Sequence, residues 1–593
     1  MNAKRNQRKP NKRKAKVVVP TLSEWRPTAV LSVIGLAFLI LIVRAVDLQV
    51  MRADFLTQRG NSSQLVDVEL SAHRGPITDR KGRPLAVSTP VDSIWANPQE
   101  LAQASDRINE LAEALERKPE RLLQGLSQHL DRKFIYLRRH MTPTQAQSVL
   151  DLGLPGVYAQ REYRRYYPAG EVSGHVLGFT NVDDQGQEGL ELAFDGWLRG
   201  HKGKQRVMRD RLGRIIADVE SLKPARPGKP LTTSLDLDIQ YMAYRELKRA
   251  VNLHNAKSGS VVVMKVGTGE VLAMANQPSY NPNDRSQLTV ARYRNRAVTD
   301  IFEPGSSFKP FIAAAALETG QYRGDTQIET SPGKIRVGQK VIRDIKNYGT
   351  LTMGGVLKES SNVGIVQVAL SLPADRLWGV LAGLGFGSLT TSGFPGESAG
   401  LLNSYEHWRP IGQATLAYGY GLSVTPLQLA QAYSTIGASG MRHPVTFLRM
   451  DEVPGSERVL RANTAAELVK MLETVVEPDG TGWRAKVDGY RVIGKTGTAR
   501  KFEAGGYSDL RHVAAFAGLA PASDPQLAVV VVIDEPGGDE YYGGQVAAPV
   551  FSRVMGSALR LLAIAPDRPA TMSPDQILTQ HTPDLPEPQV IAQ

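Results

Sequence analysis

Sixteen residues from Thr28 to Val43 carry no charge, and the run from Ala29 to Val43 is strongly apolar. Such a run has two stable environments, a protein core or a bilayer, and spanning a bilayer takes about 20 residues. Extension past Arg44 to Val50, with the Arg44 head reaching for the interface, makes up the length. Nine Lys/Arg residues against Glu24 precede the run within residues 1–26, giving +8 of the chain's formal +12. A core helix so near a terminus does not sit behind such a charge. A cleaved signal would have a shorter apolar stretch and a small-residue cleavage site, which Arg44-Ala-Val-Asp-Leu-Gln49 does not offer. The sequence therefore predicts a basic tail (1–27) and one uncleaved transmembrane helix (28–50). The tail stays in the cytoplasm and all that follows lies outside. A basic segment leading into a bilayer argues for membrane rather than nucleic acid.

At 593 residues the rest of the chain is too long for one ordinary domain. Cysteine is absent, which excludes disulfides, thiolate metal sites and cysteine nucleophiles. Residues 51–222 read as a mixed, extended module with helices near 97–115 and 143–152. Arg74-Gly-Pro-Ile-Thr-Asp-Arg-Lys-Gly82 reads as a strand entering a tight turn, with Gly82 suited to positive φ. His73 and His175 are isolated, and packed or surface roles fit them better than ligand roles. Gly267-Thr-Gly-Glu270 is a hairpin tip and lacks the lysine of a phosphate cradle.

Three prolines and a glycine within Lys223–Pro230 mark a linker. Beyond it, residues 236–251 form an amphipathic helix and 258–275 a β-hairpin. From about 315 to 480 the signals are mainly helical. Then 490–498, 512–519 and 527–534 read as strands, and 546–563 as a closing helix. Two strands before the helical block and three after it predict one five-stranded antiparallel sheet flanked by helices. The fold class is multidomain α+β. The proline-rich end, 565–593, is expected to be disordered.

Within that second domain, Glu303-Pro-Gly-Ser-Ser-Phe-Lys-Pro-Phe-Ile312 places Ser306 and Lys309 three apart at a helix start, on one face. A serine hydroxyl needs a base, and an amine serves only when neutral. Burial, the positive end of the helix and a second cation would each favour the neutral amine. Ser360-Ser-Asn362 adds a hydroxyl that relays protons and an amide that donates and accepts. Lys495-Thr-Gly-Thr498 ends a strand: Thr496 and Thr498 project one way and Lys495 the other. The threonine hydroxyls suit a carboxylate, Gly497 leaves the strand edge open to an extended ligand, and the Thr498 and Ser306 N–H groups suit an oxyanion. Lys495 is also the candidate second cation.

Ser306-x-x-Lys309, Ser360-x-Asn362 and Lys495-Thr-Gly497 together resemble the triad of penicillin-binding proteins and serine β-lactamases. The anchor, the Arg74–Gly82 turn and the Tyr163–Gly170 segment are similar to the non-catalytic pedestal module of class B penicillin-binding proteins. Arg294–Ser306 and Ala417–Gln428 resemble the division-specific branch. The resemblance implies a transpeptidase domain over 231–564 and a serine acyl-enzyme that cross-links peptidoglycan stem peptides and is acylated by β-lactams. It implies roles for Ser306, Lys309, Ser360, Asn362 and Lys495 in catalysis and for Thr496, Gly497 and Thr498 in substrate binding. Tyr418, Tyr420 and Tyr542 match positions of an aromatic wall. No metal or organic cofactor is implied. The expected place is the inner membrane with a periplasmic catalytic domain, beside a polytopic septal glycosyltransferase (FtsW-like) and other divisome proteins. The rival readings are an elongation-specific transpeptidase, a penicillin sensor or divisome scaffold, and a β-lactamase.

Overall fold

The computed structural model describes residues 25–55, 65–209, 215–452 and 455–568. The basic tail up to residue 24 and the proline-rich end from 569 lie outside the described residues. The chain divides into two compact units, one of residues 1–70 and 204–224, the other of 71–203 and 225–593. Residues 51–222 thus contribute to both.

In the first unit, α1 (Trp25–Val46) runs for 22 residues, about 33 Å at 1.5 Å per residue, and turns into a short π-helix at Asp47–Met51. The span Thr28–Met51 has a mean hydropathy of 2.7 and none of it is buried. Leu31, Phe38 and Leu41 are each more than 60% exposed. A helix apolar on all faces that no described residue covers suits lipid. Arg44 closes the apolar run in an ion pair with Asp47, 2.6 Å away. The same unit holds a three-stranded sheet with Gly203–Arg209 between Leu65–Leu70 and Ile215–Lys223.

The second unit contains the long strand Pro84–Ala96, which pairs with both Ile135–Met141 and Val157–Tyr166. The helix expected over 97–115 is three pieces, Pro98–Leu101, a 3-10 segment Ala102–Arg107 and Ile108–Ala114. The chain kinks at Ala104, which lets Leu101, Ala104, Ile108 and Leu111 all enter the core that covers one face of that sheet. Gly82 has φ +82° in the turn after Ile77–Thr78. His175 is buried, and its Nε2–H donates to the Arg292 carbonyl; burial pushes its pKa down to about 4.

After Leu231–Thr232 comes α2 (Leu237–Leu253), capped by the Asp236 side chain. Lys81 and Arg83 reach this cap and Asp238 from the Gly82 turn. Then follow β1 (Ser258–Lys265), β2 (Val271–Gln277), α3 (Lys309–Glu318), α4 (Asn362–Ser371), α5 (Pro426–Gly437), β3 (Ile493–Glu503), β4 (Gly506–Ala520), β5 (Leu527–Asp534) and α6 (Ala548–Leu561). The strands form one antiparallel sheet in the order β2-β1-β5-β4-β3, with β3 at its edge. Valines at 529–531 put β-branched side chains on both faces of β5, all without exposure. One face meets Phe311, Ile312 and Tyr433 of α3 and α5; the other meets Leu247 of α2 and Phe551 of α6.

Residues 327–352 depart from the expected helix. They form two small hairpins, Gln327–Glu329 with Thr350–Thr352 and Lys334–Val337 with Lys340–Arg343. Ile328, Ile335, Val337, Val341 and Ile342 favour strand, and Gly333, Gly338 and Gly349 take the positive φ that their turns require.

Candidate active site

Pro304 and Gly305 stop the preceding chain, and Gly305–Phe308 form a 3-10 turn that runs into α3 at Lys309. Residues three apart eclipse on a 3-10 turn, so Ser306 and Lys309 share a face. Gly305 has φ +54°, and a Cβ there would stand 2.9 Å from the Thr498 carbonyl oxygen of β3. The turn is held from below as well. Ser307 Oγ donates to the Pro304 carbonyl at 2.7 Å, and the hydroxyl of buried Tyr433 donates to the Ser307 carbonyl at 2.8 Å.

Lys309 has no exposure. Its Nζ lies 2.5 Å from the Ser360 carbonyl oxygen, 2.8 Å from Asn362 Oδ1 and 3.1 Å from Ser360 Oγ. The first two partners only accept, whereas a hydroxyl also donates. As the three bonds stand, Nζ donates to each of these oxygens. Burial, then the positive Lys495, hold Lys309 well below the ordinary lysine range, against the opposing pull of Asp344. Lys495, also wholly buried, is pushed down to about 7 by burial. Ser360 is a non-glycine residue at φ +58°, strain of about 1–3 kcal/mol that the surrounding contacts must hold.

Asn362 opens α4, with Ser361 as its cap. Asn362 Nδ2 donates to the Arg343 carbonyl at 3.2 Å, which turns Oδ1 toward Lys309. Asp344 accepts from the Asn362 N–H at 2.5 Å, the Val363 N–H at 3.0 Å and Ser361 Oγ at 2.6 Å.

On β3, the period of two puts Thr496 and Thr498 toward the Gly543–Val546 turn and Lys495 and Gly497 toward the serine turn. Thr498 Oγ1 accepts the Gly543 N–H at 3.0 Å, which leaves its own proton to donate. Lys495 Nζ donates to Thr496 Oγ1 at 3.2 Å. Gly497 also has a structural use. A Cβ there would lie 2.7 Å from the Pro304 carbonyl and 3.1 Å from Ser307, so its missing side chain admits the serine turn.

The three tyrosines fall into two groups. Tyr418 packs on Tyr420 (5.4 Å between centroids), which packs edge-on against Tyr507. The Arg500 N–H donates to the Tyr420 hydroxyl at 3.0 Å. Tyr542 instead stacks on Tyr541, which stacks on His512. Glu303 ties the first group down: its Oε1 accepts from the Gly421 N–H and the Tyr507 hydroxyl, and burial pushes its pKa up. Glu303, Phe302, Arg500 and Phe502 line a cavity of about 300 Å³. Sequence reasoning missed Glu303, Asp344, Tyr507 and Tyr541. Glu303 stood inside the serine motif, while Asp344 sits in a loop without local signal. Among the described residues no three or more His, Asp or Glu side chains converge as metal ligands.

Buried ion pairs brace the 71–203 part. Arg74, 1% exposed, holds Glu191 at 2.6 Å and Asp195 at 2.7 Å, and Arg165 holds Glu191 at 2.6 Å.

Residues 259–556 match the family model of the penicillin-binding protein transpeptidase domain, and 69–233 that of the penicillin-binding protein dimerisation domain. The peptidoglycan D,D-transpeptidase FtsI of Escherichia coli (strain K12) is 43% identical over 548 residues, 92% of this chain and 93% of that protein. The probable peptidoglycan D,D-transpeptidase PenA of Neisseria meningitidis (serogroup A) is 41% identical over 93% of this chain and 95% of its own. Among solved structures, the apo transpeptidase domain of Burkholderia pseudomallei penicillin-binding protein 3 matches with a TM-score of 0.53 at 42% identity. It covers 57% of this chain and 98% of that one.

Proposed function

The chain belongs to the class B penicillin-binding proteins, and from that premise we infer that it is a peptidoglycan D,D-transpeptidase of cell division. It cross-links stem peptides through a serine acyl-enzyme and is acylated by β-lactams. One observation carries the chemistry: Lys309, wholly buried and held well below the ordinary lysine range, lies one turn from Ser306 against Ser360 and Asn362.

In this reading Ser306 Oγ attacks the carbonyl of the D-Ala–D-Ala bond as Lys309 takes its proton, with Ser360 as the relay. The C–N bond breaks, and the proton returns to the leaving D-Ala amine. An amine of a neighbouring stem then attacks the ester, and Ser306 Oγ recovers its proton. Asn362 holds the substrate amide. Lys495 with the Thr496 and Thr498 hydroxyls holds the terminal carboxylate, beside walls formed by Tyr418 and Tyr420 on one side and Tyr542 on the other. The Ser306 and Thr498 N–H groups receive the developing oxyanion.

We further propose that the basic residues before α1 stay in the cytoplasm, which places residues 231–564, the transpeptidase domain, in the periplasm. The apolar faces of α1 then suit a polytopic septal glycosyltransferase within the bilayer.

A fluorescent penicillin tests the nucleophile. Wild-type protein labels covalently and Ser306→Ala does not, while still inserting and folding; persistent labelling means another nucleophile. The acyl-enzyme lasts minutes to hours, on the order expected without a water-activating group; rapid turnover would favour a β-lactamase. Depletion in cells distinguishes division from elongation, giving filaments in the first case and rounded cells in the second.

A further inference from the structure

Asp344 lies just past the hairpin Lys340–Arg343 and belongs to none of the three motifs. Its carboxylate nevertheless receives three hydrogen bonds from consecutive residues of one motif: Ser361 Oγ, Asn362 N–H and Val363 N–H. Two of these donors are free N–H groups at the start of α4, where a negative charge is favoured. The preceding residue completes the grip, because the Arg343 carbonyl accepts from Asn362 Nδ2. Asn362 is therefore fixed at backbone and side chain by one hairpin end, and its Oδ1 is aimed at Lys309 Nζ.

We propose that Asp344 is a positioning residue for acylation, which holds Asn362 against Lys309 and sets the electrostatic balance at that amine opposite Lys495. This rests on the reading of Lys309 as the base. Two charged groups act on the amine, Lys495 from β3 and Asp344 from the hairpin. The groups that touch it, Ser360 and Asn362, are neutral. Lys358, on the preceding helix, is engaged by Asp479 at 2.7 Å. Among the described residues, Asp344 is the charge that opposes the positive field of Lys495 at this amine.

The sign of the effect is fixed. Acylation needs neutral Lys309, so its rate rises with pH as Lys309 loses its proton. Removing the negative charge of Asp344 makes that loss easier and moves the rise to lower pH. The test measures the second-order rate of penicillin acylation against pH for the full-length protein in detergent, with Ser306→Ala in parallel. For Asp344→Asn the plateau falls by up to about 100-fold as Asn362 loosens. The acid limb moves to lower pH, because the amine loses the negative charge that favours its charged form. A plateau that falls with the limb unmoved would reduce Asp344 to a helix cap and overturn the proposal, as would an unchanged profile. If Asp344→Asn does not fold, Asp344→Glu decides. It keeps the charge and displaces the cap, so the plateau falls and the limb stays; a moved limb or a full plateau overturns the proposal. Labelling of Ser306→Ala would instead sink the functional reading itself.

Discussion

Lys309 and Lys495 are two wholly buried amines in one site, and the positive field of Lys495 helps to keep Lys309 neutral. A single lysine on a solvated helix turn would be charged and useless as a base. In the proposed mechanism the pair divides the work: the neutral form of one amine takes a proton and the charged form of the other meets an anionic substrate.

That division predicts a bell-shaped pH dependence for kcat/KM of acylation, which reports the free enzyme. The acid limb belongs to Lys309, well below the ordinary lysine range. The alkaline limb belongs to Lys495 and falls at a pH of about 7. With substrate bound, its carboxylate favours charged Lys495, so the alkaline limb of kcat lies at higher pH. Stopped-flow acylation over the pH range measures both limbs; an alkaline limb common to both parameters would contradict the role of Lys495.

Gly497→Ala places a Cβ 2.7 Å from the Pro304 carbonyl, and the serine turn must move. Overpacking of this kind costs about 1–3 kcal/mol. The expected outcome is a lower melting temperature together with a fall in acylation on the order of 100-fold, because displacement of about 1 Å at a nucleophile suffices. Calorimetry and penicillin labelling on one preparation check it.

Tyr433→Phe removes the hydroxyl that donates to the Ser307 carbonyl and leaves that buried oxygen unpaired. The loss is about 1–3 kcal/mol. Acylation falls with it, since the same bond holds the turn that carries Ser306. Full activity in this variant would show that the other contacts of the turn hold Ser306 in place without this bond.

Arg74→Ala leaves Glu191 buried with only Arg165 to pair it. Removing one member of a buried ion pair costs about 3–5 kcal/mol. The variant is expected to be cut by trypsin within 71–203 at temperatures where the wild type is intact. Mass spectrometry of the fragments locates the opening.

Much of this molecule is written in short stretches of sequence. The charge-free run of α1, the valines of β5 and the glycine turn between β1 and β2 encode their elements within a few residues. The serine, Ser-x-Asn and Lys-Thr-Gly motifs were likewise legible in chain order. Local periodicity failed where tertiary contacts chose among local options. The kink at Ala104 serves a core, and 327–352 became hairpins despite helical surroundings.

What the sequence alone determined is the inventory: an apolar helix near the N-terminus, a five-stranded sheet and the side chains with the chemistry to attack, accept a proton and bind a carboxylate. What only the tertiary structure decided is their chemical state. Lys309 and Ser360 are 51 residues apart in the chain, and their contact exists only after packing. The neutrality of Lys309 needs desolvation and the nearness of Lys495, neither of which a local motif contains. The use of Gly497 as room for the serine turn, and the grip of Asp344 on Asn362, depend on segments brought together by the core. Residue types and spacing are properties of the chain, whereas burial, field and fit are properties of the fold.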